Sequence, residues 1–177
     1  MKPKRSHAAL IAGWILLAGA GYAAGTSADT NAAGTVRNEG PVVITTRSLQ
    51  LKTVTTKEGK KVKKWLKATE VVPGDVVRYL NRVRNRSDNT LEKVRVVNPI
   101  NPHLSYVGGS AKCEEGCTIL YSLDRGKHFD TPEHLFVIDA KGKKHPAKPG
   151  DYTAIEWTID RIGPRKSVTV EFKAKLK

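Results

Sequence analysis

Two cysteines in 177 residues leave no material for a disulfide-stapled scaffold or a four-thiolate zinc site. Acidic residues are also short: 17 Asp and Glu stand against 31 Lys and Arg, for a formal net charge of +14. Hydrophobic residues reach 39%, enough for one modest core and little support for a large enzyme with a deep cleft. No stretch sustains a 3.6-residue apolar period, so helices are not expected to build the domain. Charged residues, at 27%, are ordinary for a globular chain and argue against wholesale disorder. The length suits one domain, or one domain with an appendage.

What is present begins with a basic head, Lys2, Lys4 and Arg5, followed by an uncharged apolar run from Ala8 to Ala24. Its most apolar part, Ile11–Leu17, is short, and small residues follow it; this is the layout of a secretory signal peptide. Cleavage after Ala23 or Ala28 is expected, giving a signal peptide over 1–28. The rival reading is a retained anchor, since about 20 apolar residues span a bilayer. No Cys follows the run, so a lipoprotein is not expected. Removal of the three head cations lowers the net charge from +14 to +11. Residues 29–40 are small and polar and read as a flexible leader; the folded domain is expected over 41–177.

The signals within 41–177 are strand signals. Val168, Val170, Phe172, Ala174 and Leu176 alternate with polar residues, a period of two that sets one face inward and the other in water. Ile155, Trp157 and Ile159 behave the same way. On Val76–Asn85, Val77, Tyr79 and Val83 share a face with Asn81, which needs a partner if buried, while Arg78, Arg82 and Arg84 take the other. Further strands are expected over Val42–Thr46, Leu49–Thr55, Val62–Val72, Leu91–Val97, Leu104–Val107, Thr118–Leu123 and Leu135–Ile138. Lys57–Lys60 reads as a hairpin tip, and Pro73-Gly74-Asp75 and Gly163-Pro164 as turns. About seven to nine short strands between turns predict an all-β chain folded as an antiparallel β-sandwich.

Several motifs then occur in a fixed order. Pro73-Gly74-Asp75 is followed by Tyr79 and Asn85, then by Pro99 and by Tyr106-Val107-Gly108-Gly109-Ser110. The pattern continues through Tyr121–Phe129 and Asp151–Leu176. This stretch, roughly Leu49 to Lys177, resembles the conserved repeat domain of bacterial exported proteins, the "domain of unknown function eleven" family. The resemblance implies an immunoglobulin-like sandwich at the cell envelope or surface, used as a stalk, spacer or adhesion-like module without catalysis. Asn81 and the turn Pro164-Arg165-Lys166 depart from that pattern, and one copy gives little reach for a stalk.

Candidate chemistry is sparse. Ser122-x-Asp124-x-Gly126-x-x-Phe129 matches an Asp-box, but a propeller would repeat it, so a turn held by Asp124 is expected. Cys113 and Cys117 have three residues between them instead of the two of a redox motif; in an exported chain a structural disulfide closing a tight tip is expected, with metal binding as the alternative. His103, His128, His134 and His145 sit in loop-like surroundings, and Asp124, Asp130, Glu133 and Asp139 lie near a loop with no isolated carboxylate pair. No Gly-x-Ser-x-Gly turn presents a nucleophile. No cofactor is expected.

The remaining feature is basic charge. Lys57, Lys60, Lys61, Lys63, Lys64 and Lys67 surround Trp65, and Lys141, Lys143, Lys144, His145 and Lys148 crowd a later segment. Lysine on an edge strand also serves to block aggregation. Alternation divides the first group: Lys61, Lys63, Trp65 and Lys67 on one face, Lys60 and Lys64 on the other. Burying three unpaired ammonium groups is costly, so Trp65 is expected on an exposed or edge strand. The sequence therefore points to a non-enzymatic exported module, periplasmic, surface-bound or secreted, with a structural or interaction role towards an envelope or surface protein. The second reading is a binder of anionic glycan, lipid head groups or extracellular DNA through Lys60, Lys61, Lys63, Lys64, Trp65 and Lys67.

Overall fold

The computed structural model describes residues 40–114 and 116–177, so the expected signal peptide and the leader up to residue 39 lie outside the described residues. The strands in chain order are β1 (Val42–Thr55), β2 (Lys61–Lys67), β3 (Val76–Asn85), β4 (Leu91–Pro99), β5 (Leu104–Tyr106), β6 (Lys112–Cys113), β7 (Cys117–Ser122), β8 (Phe136–Ile138), β9 (Lys144–Pro146), β10 (Ala154–Ile162) and β11 (Ser167–Leu176). Two single 3-10 turns, Pro132–His134 and Pro149–Asp151, complete the described elements. The larger sheet runs β2-β1-β3-β11-β5, with β6 also on β11; the smaller runs β4-β10-β7; β8 and β9 form a separate hairpin. All pairings are antiparallel, and the two main sheets pack face to face as a β-sandwich of nine strands.

The alternation read from the sequence places the core. Val77, Tyr79, Val83, Val168, Val170 and Phe172 face inward from the larger sheet, and Ile155, Trp157 and Ile159 from the smaller. Trp157 is 0% exposed and Phe172 1%. The Phe172 ring stacks on Tyr79 at 4.9 Å between centroids and meets Trp157 at 6.1 Å. Burial pushes the Tyr79 hydroxyl pKa up to about 12.

Two buried asparagines interrupt the apolar series of β3, and each is satisfied. Asn81 accepts from the Thr46 hydroxyl at 2.8 Å and donates to Asn98 Oδ1 across the sandwich at 3.2 Å. Asn85 ties the end of β3 to the β10–β11 turn, donating to the carbonyls of Asn89, Ile162 and Gly163 and accepting from Ser87. Other residues of the ordered motif are fasteners too. Asp75 accepts from the backbone N–H of Val72 at 3.0 Å, while the Gly74 N–H donates to the Leu176 carbonyl at 2.8 Å. Ser110 Oγ accepts from the Lys173 N–H at 3.0 Å, and the Tyr106 hydroxyl accepts from the Ala111 N–H at 3.0 Å.

Several expectations are corrected. Val42–Thr46 and Leu49–Thr55 are one strand, because Arg47 and Ser48 continue the pairing with Leu80 and Tyr79. β2 stops at Lys67 instead of reaching Val72, since the chain must cross the end of β1 to place β3 on its other edge. Lys144–Pro146, within the expected loop, is a strand. Cys113 and Cys117 form the expected disulfide, with Cα atoms 6.2 Å apart, but it does not close a hairpin tip. β6 belongs to the larger sheet and β7 to the smaller, so the bridge clips a crossover between them. A Cβ at Gly116 would stand 2.9 Å from Asp160 Oδ2, so a side chain there would have to push the exposed Asp160 carboxylate aside.

Candidate polyanion-binding face

The outer face of the larger sheet follows from the register. On β3 the inward residues are Val77, Tyr79, Asn81, Val83 and Asn85, which leaves Arg78, Leu80, Arg82 and Arg84 outward. Cross-strand partners share a face. Arg84 aligns with Val43 and Ser167, Arg82 with Thr45 and Thr169, Leu80 with Arg47 and Glu171, and Arg78 with Leu49 and Lys173. β2 adds Lys67 opposite Leu49, Trp65 opposite Leu51, Lys63 opposite Thr53 and Lys61 opposite Thr55. Lys112 beside Glu171 and Lys175 beside Val76 complete it. The face thus carries four arginines and six lysines, and Glu171 is the one carboxylate on its strands. Glu114 lies at the β6 margin, accepting from the Thr169 N–H.

Glu171 is bonded to Arg78. Among the described residues the other nine cations of the face form no ion pair. Trp65, half-buried on the edge strand as expected, is not a vacant stacking platform. The Arg78 guanidinium lies 5.9 Å and the Lys173 ammonium 5.7 Å from its ring centroid. The indole therefore holds two cations of β3 and β11 by cation–π attraction. Lys61, Lys63, Trp65 and Lys67 lie on the face, whereas Lys60 is in the exposed tip and Lys64 is on the opposite side of β2. Pairing of β1 with β3 ends at Gln50–Val77, but pairing with β2 continues to Thr55–Lys61, so the lysine hairpin overhangs the sandwich as a ribbon. Gly59 at its tip takes φ +77°, which glycine adopts without strain.

The sequence pattern sets the hairpin lysines apart from the arginines of β3, turns Lys173 and Lys175 outward without giving them a site role, and leaves Arg47 between two expected strands. The outward alternation of each strand was the available signal; which strands are neighbours was not.

The other candidates have structural roles. Asp124 accepts from the Lys127 and His128 N–H groups at 3.1 and 3.0 Å and from Ser122 Oγ at 2.7 Å, the expected turn. The His128 backbone N–H and imidazole hold its carboxyl well below the usual range. His134 pairs with Asp130 at 3.1 Å and His145 with Asp139 at 2.7 Å, both exposed. His103 donates its backbone N–H to Asn101 at 2.9 Å. Among the described residues no three His, Cys, Asp or Glu side chains gather in metal-binding range. Lys144 lies 4.1 Å from the Phe136 ring centroid, so the second basic cluster is carried on the β8–β9 hairpin and not on this face. Among the described residues no helix is long and apolar enough to cross a membrane.

The fold and its surface define a class: an antiparallel β-sandwich with one strongly basic sheet face and one inter-sheet disulfide. Searches of known families, curated proteins and solved structures find no match.

Proposed function

We propose that this chain is a non-enzymatic module, exported to the cell envelope or beyond, that engages polyanions through the outer face of its larger sheet. The observation that carries the reading is the charge of that face, with ten cations and one strand-borne carboxylate. Such a surface concentrates field and attracts acidic partners at a distance. The rival account, lysine as protection for an edge strand, covers β2 but not the arginines of the interior strand β3. Export is supported by the basic head and apolar run of residues 1–28, by the disulfide, and by the resemblance to the conserved repeat domain.

Retention on heparin resin tests the function. The wild-type protein is expected to elute at higher salt than Lys61→Glu/Lys63→Glu/Lys67→Glu, and Arg47→Glu/Lys173→Glu is expected to lower elution as well, although it leaves the hairpin lysines intact. Equal elution of all three proteins would reduce the face to a solvated surface. N-terminal sequencing of the protein from its native host tests export; a mature terminus between Ala24 and Asp29 is expected, and an intact Met1 in the cytoplasmic fraction would reject it.

A further inference from the structure

We infer that one corner of the basic face is a discrete phosphate site formed by Arg82, Arg84, Arg86 and Arg165. The four arginines, with Val43 and Thr45, line one shallow depression. Arg82 and Arg84 stand two residues apart on the outward side of β3, about 6.8 Å along the strand. Arg86 follows where the strand ends, its backbone N–H donating to the Pro41 carbonyl at 2.7 Å. Arg165 enters from the β10–β11 turn.

The corner fixes the backbone of the two segments that carry Arg86 and Arg165. Arg165 takes a left-handed φ of 58° and is gripped by Asp88 through Nε and Nη2, at 2.8 and 2.9 Å. Its N–H donates to the Ser87 carbonyl at 3.1 Å, and the Asn85 N–H donates to the Lys166 carbonyl at 2.9 Å. The Asn85 side chain, 0% exposed, bonds both the 86–89 loop and the 162–163 turn. The segments bearing Arg86 and Arg165 are therefore fixed to each other before any ligand arrives.

Asp88 offsets one charge; Arg82, Arg84 and Arg86 have no ion-pair partner among the described residues. Three unpaired guanidinium groups around one depression repel each other, and an anion relieves that repulsion. A guanidinium fork takes two oxygens side by side. A carboxylate has two oxygens and one charge and fills a single fork. A phosphate has more oxygens and more charge and fills several, so phosphate is the ligand class. The site rests on the polyanion reading for its biological role, but its affinity for phosphate can be measured alone.

The probes are inorganic pyrophosphate, by isothermal titration at fixed ionic strength, with acetate as the carboxylate control, and vesicles containing phosphatidic acid. Arg82→Gln/Arg84→Gln is expected to weaken pyrophosphate binding about tenfold or more, while the hairpin triple lysine variant stays within about twofold of wild type. Acetate is expected to bind far more weakly than pyrophosphate. Near-UV circular dichroism of the anion-free variants establishes that both are folded; Arg84→Lys, which keeps charge and loses the fork, is the second variant and is also expected to weaken binding. Loss of vesicle binding in the double arginine variant would place the phosphate on lipid; vesicle binding that survives it, with pyrophosphate binding lost, would assign the site to free phosphate. Equal pyrophosphate affinity in wild type and the double arginine variant, or equal affinity for acetate and pyrophosphate, would overturn the site. Heparin retention unaffected by the face variants, with the pyrophosphate result intact, would sink the polyanion face and leave the site standing.

Discussion

Asn85→Ala is expected to destabilise the domain by about 2–4 kcal/mol, more than its small volume change suggests. The side chain is 0% exposed and makes five hydrogen bonds. Its Nδ2 donates to Asn89 O at 2.7 Å, Ile162 O at 3.1 Å and Gly163 O at 3.0 Å. Its Oδ1 accepts from Ser87 N at 2.9 Å and Ser87 Oγ at 2.7 Å. Truncation does not harm all partners equally. Asn89 is exposed, so its carbonyl turns to water; Ile162 is buried and Gly163 half-buried, so their carbonyls stay short of a donor. An orphaned buried group costs about 1–3 kcal/mol; the Ile162 carbonyl takes that full range and the half-buried Gly163 carbonyl only about 1 kcal/mol, which gives the stated figure. Asn85→Asp should cost more, because it replaces the donor with a carboxylate oxygen facing those carbonyls and buries a charge. Urea unfolding at neutral pH, with the disulfide intact, measures both: the midpoint should fall in the order wild type, Ala, Asp at an unchanged m-value. A loss below about 1 kcal/mol for Ala, or an Asp variant more stable than Ala, would refute the claim that donation by Nδ2 secures this corner.

Phe172→Ala removes a ring that is 1% exposed and touches both Tyr79 and Trp157, and should cost about 3–5 kcal/mol in the same assay. Cys113→Ala/Cys117→Ala should cost about 2 kcal/mol, since a closed loop this short limits the unfolded chain only modestly; thiol titration of the unreduced, denatured wild type should find no free thiol. Alkaline unfolding should depend in part on Tyr79. Its hydroxyl ionises near 10 when unfolded and at about 12 when folded, so its contribution is intact below pH 10 and is lost as pH rises towards 12. Burial raises Tyr121 and Tyr152 as well, so Tyr79→Phe should make the loss of stability across that window shallower without abolishing it, which stopped-flow fluorescence at stepped pH would detect.

The fold class was legible in the sequence because inside–outside alternation is a local property. The set Val77, Tyr79, Val83, Trp157, Ile159, Val170 and Phe172 could be assigned to the core strand by strand, and all seven are buried. Asn81 stood out as a polar residue in apolar phase and Asn85 only as a member of the ordered motif; their partners, Asn98 and the 162–163 carbonyls, come from other strands and turns. The disulfide was legible as a pairing but not as an inter-sheet clip, because sequence spacing does not reveal which sheet each strand joins. The same limit concealed the functional face. Lys63, Arg47, Arg82 and Lys173 lie on four strands spread from β1 to the C-terminus, and only the order β2-β1-β3-β11 sets them on one surface. Charge alternation within a strand depends on residues two apart, whereas the summed field of a sheet depends on hydrogen bonds between strands far apart in the chain. Alternation within β2, β3 and β11 already turned Lys63, Arg82 and Lys173 outward, whereas Arg47 fell between two expected strands; the pairing of the strands is what sets all four on one surface.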